Sequence, residues 1–392
     1  MDSILAYTQQ RLPAMLDWIE GLVRIESPTD DKKAVDQAVH YVADNLPAPA
    51  KVKLHRQHGF GNHLRLEFSF SPPQRARKST TNQTGQVLGL GHLDTVWAKG
   101  TLARMPCRRE RGRLWGPGVF DMKAGVAILV FAAETLRELQ IPIEGKYVVQ
   151  LNSDEEVGSP TSRPYTEAEA KRSRAVLVAE PAFGPRGAAK TGRKGGGGFT
   201  IRVQGRPAHA GLDFERGASA IVELARQIQR VASWTDLKAG ITVNPGVIRG
   251  GTRSNVVAEE AIVEVDVRAP RAAQARRLDT KFRSLRPIDR KTKLIVEGGL
   301  RRPPLERSPR VLGLFRLAQK AARELGFELD EAQVGGGSDG NFTAALGVPT
   351  LDGLGAVGEG AHALQEHIVI DRLAERTALL AKIIAAHVFK ST

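Results

Sequence analysis

Cysteine, aromatic residues and long apolar runs are all scarce in this sequence. One cysteine, Cys107, stands among 392 residues, so no intrachain disulfide and no Cys-rich zinc site can form, and a bound metal has to be held by His, Asp and Glu. Aromatic residues amount to 5%, the Lys and Arg are spread along the whole chain, and none of the common nucleic-acid-binding motifs occurs. These absences set aside the nucleic-acid reading that a net charge of +14 invites. A basic field that draws in small acidic substrates is the expected consequence. No stretch of about 18 apolar residues exists, and residues 1–15 lack the basic segment and apolar run of a leader. The expectation is a cytoplasmic protein with no membrane partner.

What is present is an ordinary globular balance, 41% hydrophobic and 26% charged, in a chain long enough for two domains. Its centre is Leu151-Asn152-Ser153-Asp154-Glu155-Glu156-Val157-Gly158-Ser159. The apolar run Tyr147–Leu151 reads as a buried strand that ends abruptly in three consecutive acids, a crowding of like charge that calls for cations. One of Glu155 and Glu156 can hold a metal while the other keeps a free carboxylate for proton transfer. Two more strands end the same way: Gln86 to Gly91 runs into His92-Leu93-Asp94, and Arg174 to Ala179 runs into Glu180-Pro181. In an extended segment His92 and Asp94 share a face, which sets a carboxylate beside an imidazole and fixes its tautomer. Gly116, Pro117 and Gly118 form a tight loop presenting Asp121 at the mouth of an apolar helix, Ala124–Ala133.

The chain begins with amphipathic helices over 4–23 and around Val35, Val39 and Val42, a half-buried strand through Leu64, Leu66, Phe68 and Phe70, and a polar connection, Ser71–Thr84. After Gly195–Gly198 come strand 199–203, helix 217–231, strand 241–249, strand 261–268, helix 271–285 and strand 294–297. This βαββαβ order is ferredoxin-like. Complete in itself, it is read as an inserted domain (194–300) that interrupts an α/β domain in two segments (1–193 and 301–392). The glycines at its entry and at Gly298-Gly299 are read as hinges. The last segment holds helix 309–325, the loop Gly335–Gly340, helix 341–346, strand 349–354, His362 in a Gly-rich turn, and a closing helix from Asp371 to Phe389.

Together, His92, Asp121, Glu156, Glu180 and His362 make a two-metal set, with one imidazole and one terminal carboxylate per metal and Asp121 free to bridge. Nitrogen and oxygen donors without thiolates suit two Zn2+ per subunit, with Co2+ or Mn2+ as alternatives. Glu155, beside a ligand but not one itself, is the candidate general base.

These residues and several further stretches resemble the M20 family of metallopeptidases, most nearly its glutamate carboxypeptidase (carboxypeptidase G2-like) group. The further stretches are Gly205-Arg206-Pro207-Ala208-His209-Ala210-Gly211, Gly250 to Val257, Asp266-Val267-Arg268, Gly335-Gly336-Gly337-Ser338-Asp339 and Gly360-Ala361-His362. The resemblance implies an α/β, zinc-peptidase-like catalytic domain with a mixed central sheet flanked by helices that hydrolyses amide bonds, with the inserted ferredoxin-like domain as lid and homodimerisation surface. It further implies that His92 and Glu180 hold one zinc and Glu156 and His362 the other, that Asp121 bridges, and that Asp94 orients His92. By the same likeness His209 steadies the oxyanion in the partner subunit's site, and Asn255 and Arg268 bind the substrate carboxylate, with Arg302 and Lys190 as weaker candidates. Ala208, where many members carry Ser, and the Gly-rich turn before His362 depart from the family pattern. The expected substrate is a small N-acyl amino acid or peptide with a free carboxylate, C-terminal glutamate above all. Acetylornithine deacetylase-like, succinyl-diaminopimelate desuccinylase-like and aminoacylase-like activities are the alternatives, and a catalytically silent binding protein is the remote one.

Overall fold

Strand Gln86–His92 shows how the larger sheet is built. Its side chains alternate between two apolar layers: Val87 joins the main core, whereas Leu88 and Leu90 face a smaller cluster with Val148, Val176 and Val178. Gly89 and Gly91 lie on the main-core side, where a Cβ would fall within 2.8 Å of Leu129 and of Met122 respectively. Their lack of a side chain lets helix Ala124–Glu138 sit directly on the strand. That helix is apolar on every side and buried from Ala124 to Leu136, as its composition demands. It packs between the sheet and the helices Ser3–Val23 and Leu373–Val388.

The computed structural model describes residues 2–70, 85–141, 143 and 145–388. The polar connection expected at Ser71–Thr84 and the expected helix end at Phe389 lie outside the described residues. The chain divides into two compact units, one of Met1–Thr191, Arg307–Gln333 and Ser338–Thr392, the other of Gly192–Glu306 and Val334–Gly337.

The larger unit carries a six-stranded mixed sheet in the order Lys51–His55, His63–Ser69, Lys146–Asn152, Gln86–His92, Ser173–Val178, Thr350–Leu351. The last four run parallel to one another, whereas His63–Ser69 pairs antiparallel with both Lys146–Asn152 and Lys51–His55. His92 therefore pairs with Asn152, and the strand ends that lead to His92, to the acids and to Glu180 share one edge, where open α/β sheets place their sites. The strand expected over 349–354 is confined to Thr350–Leu351, because beyond it the Asp352 backbone bonds to Lys190 and Gly353 turns with φ 70°.

The smaller unit has the βαββαβ order: strand Gly195–Gln204, helix Ala220–Ala232, strands Thr242–Gly250 and Glu260–Ala269, helix Ala272–Arg283, strand Lys293–Arg302. Its four-stranded antiparallel sheet places Glu260–Ala269 and Lys293–Arg302 on either side of Gly195–Gln204. Phe199, Ile201 and Val203 alternate inward, and Phe199 stacks on Phe282 at 3.9 Å. The glycines read as hinges are instead strand residues: Gly195–Gly198 pair with Ala269–Asp266 on one side, and Gly298 and Gly299 pair with Phe199 and Gly198. Close approach explains some of them, since a Cβ at Gly197 would stand 2.2 Å from the Gly299 carbonyl and one at Gly298 2.2 Å from the Gly198 carbonyl.

Candidate metal centre

His92 ends its strand 1% exposed. Its Nδ1 lies 2.9 Å from the Asp94 backbone oxygen and 3.5 Å from Asp94 Oδ1, so the neutral ring carries its proton on Nδ1 and turns Nε2 outward as a donor atom. Nε2 is 3.3 Å from Asp121 Oδ1 and 3.6 Å from Glu180 Oε1. On the other side of Asp121, His362 Nε2 lies 3.4 Å from Asp121 Oδ2 and 3.4 Å from Glu156 Oε2. The structure thus gathers two triads, His92–Asp121–Glu180 and Asp121–Glu156–His362, each with its ligand atoms within 4.8 Å of one another and with Asp121 common to both.

The acidic stretch is divided by what each carboxylate does. Asp154 points backward, and its Oδ2 accepts from the Thr161 N–H and hydroxyl, both at 2.7 Å, and from the Ser162 N–H at 3.2 Å. Asp94 pins the turn that follows: its Oδ1 accepts from the Glu155 N–H at 3.2 Å, and its Oδ2 from the Glu156 N–H at 3.1 Å and the Thr29 hydroxyl at 2.8 Å. The fully buried Asp94 therefore has a second task besides holding His92. Glu155 and Glu156 start a 3₁₀ turn closed by Gly158 at φ 94°, which sends their side chains apart. Glu156 reaches His362, while the charge of Glu155 acts on His92.

Electrostatics mark the same place. Burial opposes a proton on His92, but Asp121 and Asp94 outweigh it and hold the imidazole well above its ordinary pKa. Hydrogen bonds to Asp121 and Glu156, against some loss of hydration, lift His362 to about 10. Burial alone would raise Asp121, yet its bonds to His362 and His92 hold its carboxyl well below the usual range. Protons thus stand between the carboxylates where cations fit. Glu156 Oε1 is buried without a hydrogen-bond partner, an uncompensated acceptor that a metal satisfies. The donor set, two imidazoles and three carboxylates, fits a pair of such ions.

Glu366 was not singled out in the sequence. It is wholly buried and lies under the Asp121 loop, where it accepts from the Gly118, Phe120 and Asp121 N–H groups and from the Trp97 indole. Burial pushes its carboxyl up to about 6 against those four bonds. Asp339, which the sequence offered only as part of a motif, accepts from Asn152 Nδ2 at 2.6 Å and from the Ser159 hydroxyl, and so ties the start of helix Gly340–Ala345 to both ends of the acidic stretch.

Four predicted residues belong to the smaller unit. His209 is exposed, its Nδ1 accepts from the Gly211 N–H at 3.1 Å, and its segment bridges to Val256, next to Asn255, whose carbonyl accepts from the Ala210 N–H. Arg268 extends over Gly196, where a Cβ would meet its guanidinium at 2.8 Å. Its fork is taken by Asp266, with Nε–Oδ1 3.0 Å and Nη2–Oδ2 2.9 Å. Arg302 closes its strand opposite Gly196. Lys190 is buried in the larger unit, its backbone bridged to Asp352.

Residues 89–386 match the model of peptidase family M20/M25/M40. The chain belongs to this family. This M20 metallopeptidase is 28% identical over 390 residues to carboxypeptidase G2 of Pseudomonas sp. (strain RS-16), covering 95% of this chain and 89% of that protein. It is 31% identical over 180 residues to acetylornithine deacetylase of Myxococcus xanthus, covering 43% of this chain and 45% of that one. Its fold matches the crystal structure of aminopeptidase PepT from Bacillus cereus ATCC 10987 with a TM-score of 0.74 at 22% identity, over 97% of this chain and 99% of that one. No described helix is long and apolar enough to cross a membrane.

Proposed function

We propose that this M20 metallopeptidase hydrolyses the amide bond of small N-acyl amino acids or peptides beside a residue with a free carboxylate, with C-terminal glutamate as the preferred leaving group. The observation that carries the reading is the pair of triads sharing Asp121, with Glu155 next to Glu156 on a turn pinned by Asp94. In this reading His92 and Glu180 hold one zinc, Glu156 and His362 the other, and Asp121 serves both, with Co2+ or Mn2+ as substitutes. When bound, such a pair acidifies water and polarises an amide carbonyl. Glu155 accepts the proton of the attacking water and delivers it to the leaving nitrogen. His209, which keeps its proton on Nε2 when Nδ1 accepts from Gly211, donates to the oxyanion in a partner subunit. Asn255 and Arg268 bind the substrate carboxylate, helped by Arg302. For this the Arg268 fork has to exchange Asp266 for the substrate.

Similarity to carboxypeptidase G2 along nearly the whole chain supports the preference for glutamate. A homodimer through the smaller unit, which then acts as lid, is supported by the exposed apolar residues Val247 and Ile248 on strand Thr242–Gly250 and Ile221 and Val222 on helix Ala220–Ala232. A cytoplasmic setting accords with the lone cysteine.

The test is release of free amino acid from a panel of N-acyl amino acids and dipeptides by zinc-loaded protein, beside a chelated control. Chelator-sensitive release of glutamate is the expected result. The match to acetylornithine deacetylase favours a second reading, and release from N-acetyl or N-succinyl diamino acids would establish it instead. No release from any substrate would leave a binding protein. Glu155→Gln should retain both metals and lose about 10²–10⁴-fold in turnover, and unchanged turnover would remove Glu155 as the base.

A further inference from the structure

We propose that Glu366 is the positioning residue of the metal centre, the carboxylate that sets where Asp121 and His362 present their donor atoms. Three segments meet on it. Oε2 accepts from the Trp97 indole N–H at 2.7 Å and the Gly118 N–H at 2.8 Å, and Oε1 accepts from the Phe120 N–H at 2.8 Å and the Asp121 N–H at 3.0 Å. Trp97 lies three residues past Asp94, Gly118–Asp121 is the loop of the shared ligand, and Glu366 itself lies four residues beyond His362. The His362 loop is folded tightly onto it: the Glu366 N–H donates to the Ala363 carbonyl at 2.9 Å, and a Cβ at Gly360 would fall 2.9 Å from the Glu366 Cα.

The chemistry requires a carboxylate. Four donors converge on two oxygens, and only an ionised Asp or Glu offers two acceptor atoms and no donor. Bonds to a charged acceptor are about twice as strong as neutral ones, which suits a group with no exposure to water. Glutamine of the same shape turns an NH2 group toward two of the four donors, so a pair of N–H groups loses its acceptor and the Asp121 loop has to move. Glu366 itself touches neither substrate nor metal in this account. It acts through Asp121 and His362, and groups that orient metal ligands in this way typically contribute about 10–100-fold in metal affinity.

The inference rests on the metal-centre reading above. The full-length protein, Glu366→Gln and Glu366→Asp are stripped of metal and titrated with Zn2+ against a chromophoric chelator and with Co2+ by visible absorption, with melting followed in parallel. The wild type is expected to take two equivalents, Glu366→Gln to bind at least one of them about 10–100-fold more weakly with an altered Co2+ spectrum, and Glu366→Asp, which keeps both acceptors, to fall between. A folded Glu366→Gln that melts lower yet binds both equivalents with wild-type affinity and spectrum would overturn the proposal, leaving Glu366 a purely structural group. Should Glu366→Gln fail to fold, Glu366→Asp carries the test, and wild-type affinity in that variant overturns it equally. A wild type that takes up no metal pair contradicts the metal reading itself, and this inference with it.

Discussion

At the scale of single residues, His362 and His92 occupy an unusual electrostatic position. Both imidazoles lie among carboxylates that raise their pKa values, His362 to about 10, so in metal-free protein near neutral pH both carry protons. A metal has to displace them. Metal uptake between pH 7 and 8 should therefore release close to one proton per imidazole. Apparent affinity should rise with pH until His362 deprotonates on its own near pH 10, beyond which its site releases none. Calorimetry in buffers of different ionisation enthalpy measures this, and a release near zero at pH 7 would contradict the assignment. The residues gathered in the triads are ones the sequence displays, because each stands where an apolar strand or a glycine-built loop stops. Glu366 gave no such signal: it sits on a loop without periodicity, and its partner Asp121 is 245 positions away in the chain. The pairing of Asp266 with Arg268 was hidden for a simpler reason. Alternation puts both on one strand face, but an arginine two residues from an acid is too common in sequences to single out.

Among elements, the end of strand Ser173–Val178 that delivers Glu180 is confined by two glycines. A Cβ at Gly125, in helix Ala124–Glu138, would stand 1.9 Å from the Ala179 carbonyl, and one at Gly355 would stand 2.1 Å from the same oxygen. Neither collision involves a flexible side chain, so the backbone has to shift, and Glu180 and the start of the Asp121 helix shift with it. Gly125→Ala should destabilise the protein by about 1–3 kcal/mol. Gly313→Ala, in helix Pro309–Glu324 with nothing within 4 Å of its Cβ, should stabilise it by up to about 1 kcal/mol from helix propensity alone. Denaturant unfolding of the two variants checks the pair, and equal midpoints would contradict the packing argument. The same contrast explains a misreading of the sequence. A run of glycines looks like a hinge when only local propensity is weighed, whereas Gly196–Gly198 are held in a ladder from both sides, and at Gly195 and Gly197 the neighbouring backbone comes too near for a side chain. The central strands and the longer helices elsewhere were legible as unbroken apolar runs or as amphipathic patterns, whereas the short, mostly exposed strand Lys51–His55 and the polar helix Arg163–Lys171 carry neither. Their ends moved by as many as five residues, as where strand 294–297 runs on to Arg302 and helix 217–231 starts at Ala220, because caps, turns and backbone pairing rather than apolar pattern set the limit.

For the molecule as a whole, the division of labour follows from topology. Parallel strands in the larger unit bring three acidic or imidazole-bearing ends to one edge, and the complete βαββαβ unit has its own core. Both architectures were readable because they depend on element order. The substrate was not, because pocket shape depends on loops whose backbone no pattern encodes. In the proposed function, two cations on the shared Asp121 enable Glu155 to drive amide hydrolysis beside a carboxylate-bearing residue. The decisive experiment follows glutamate release from an N-acyl glutamate by metal-stripped protein as Zn2+ is added back. No release is expected without metal, then a rise to a plateau at two equivalents per subunit, and loss again on chelation. Full-rate release from the stripped protein, or two bound equivalents with no release from any carboxylate-terminated amide, would contradict it.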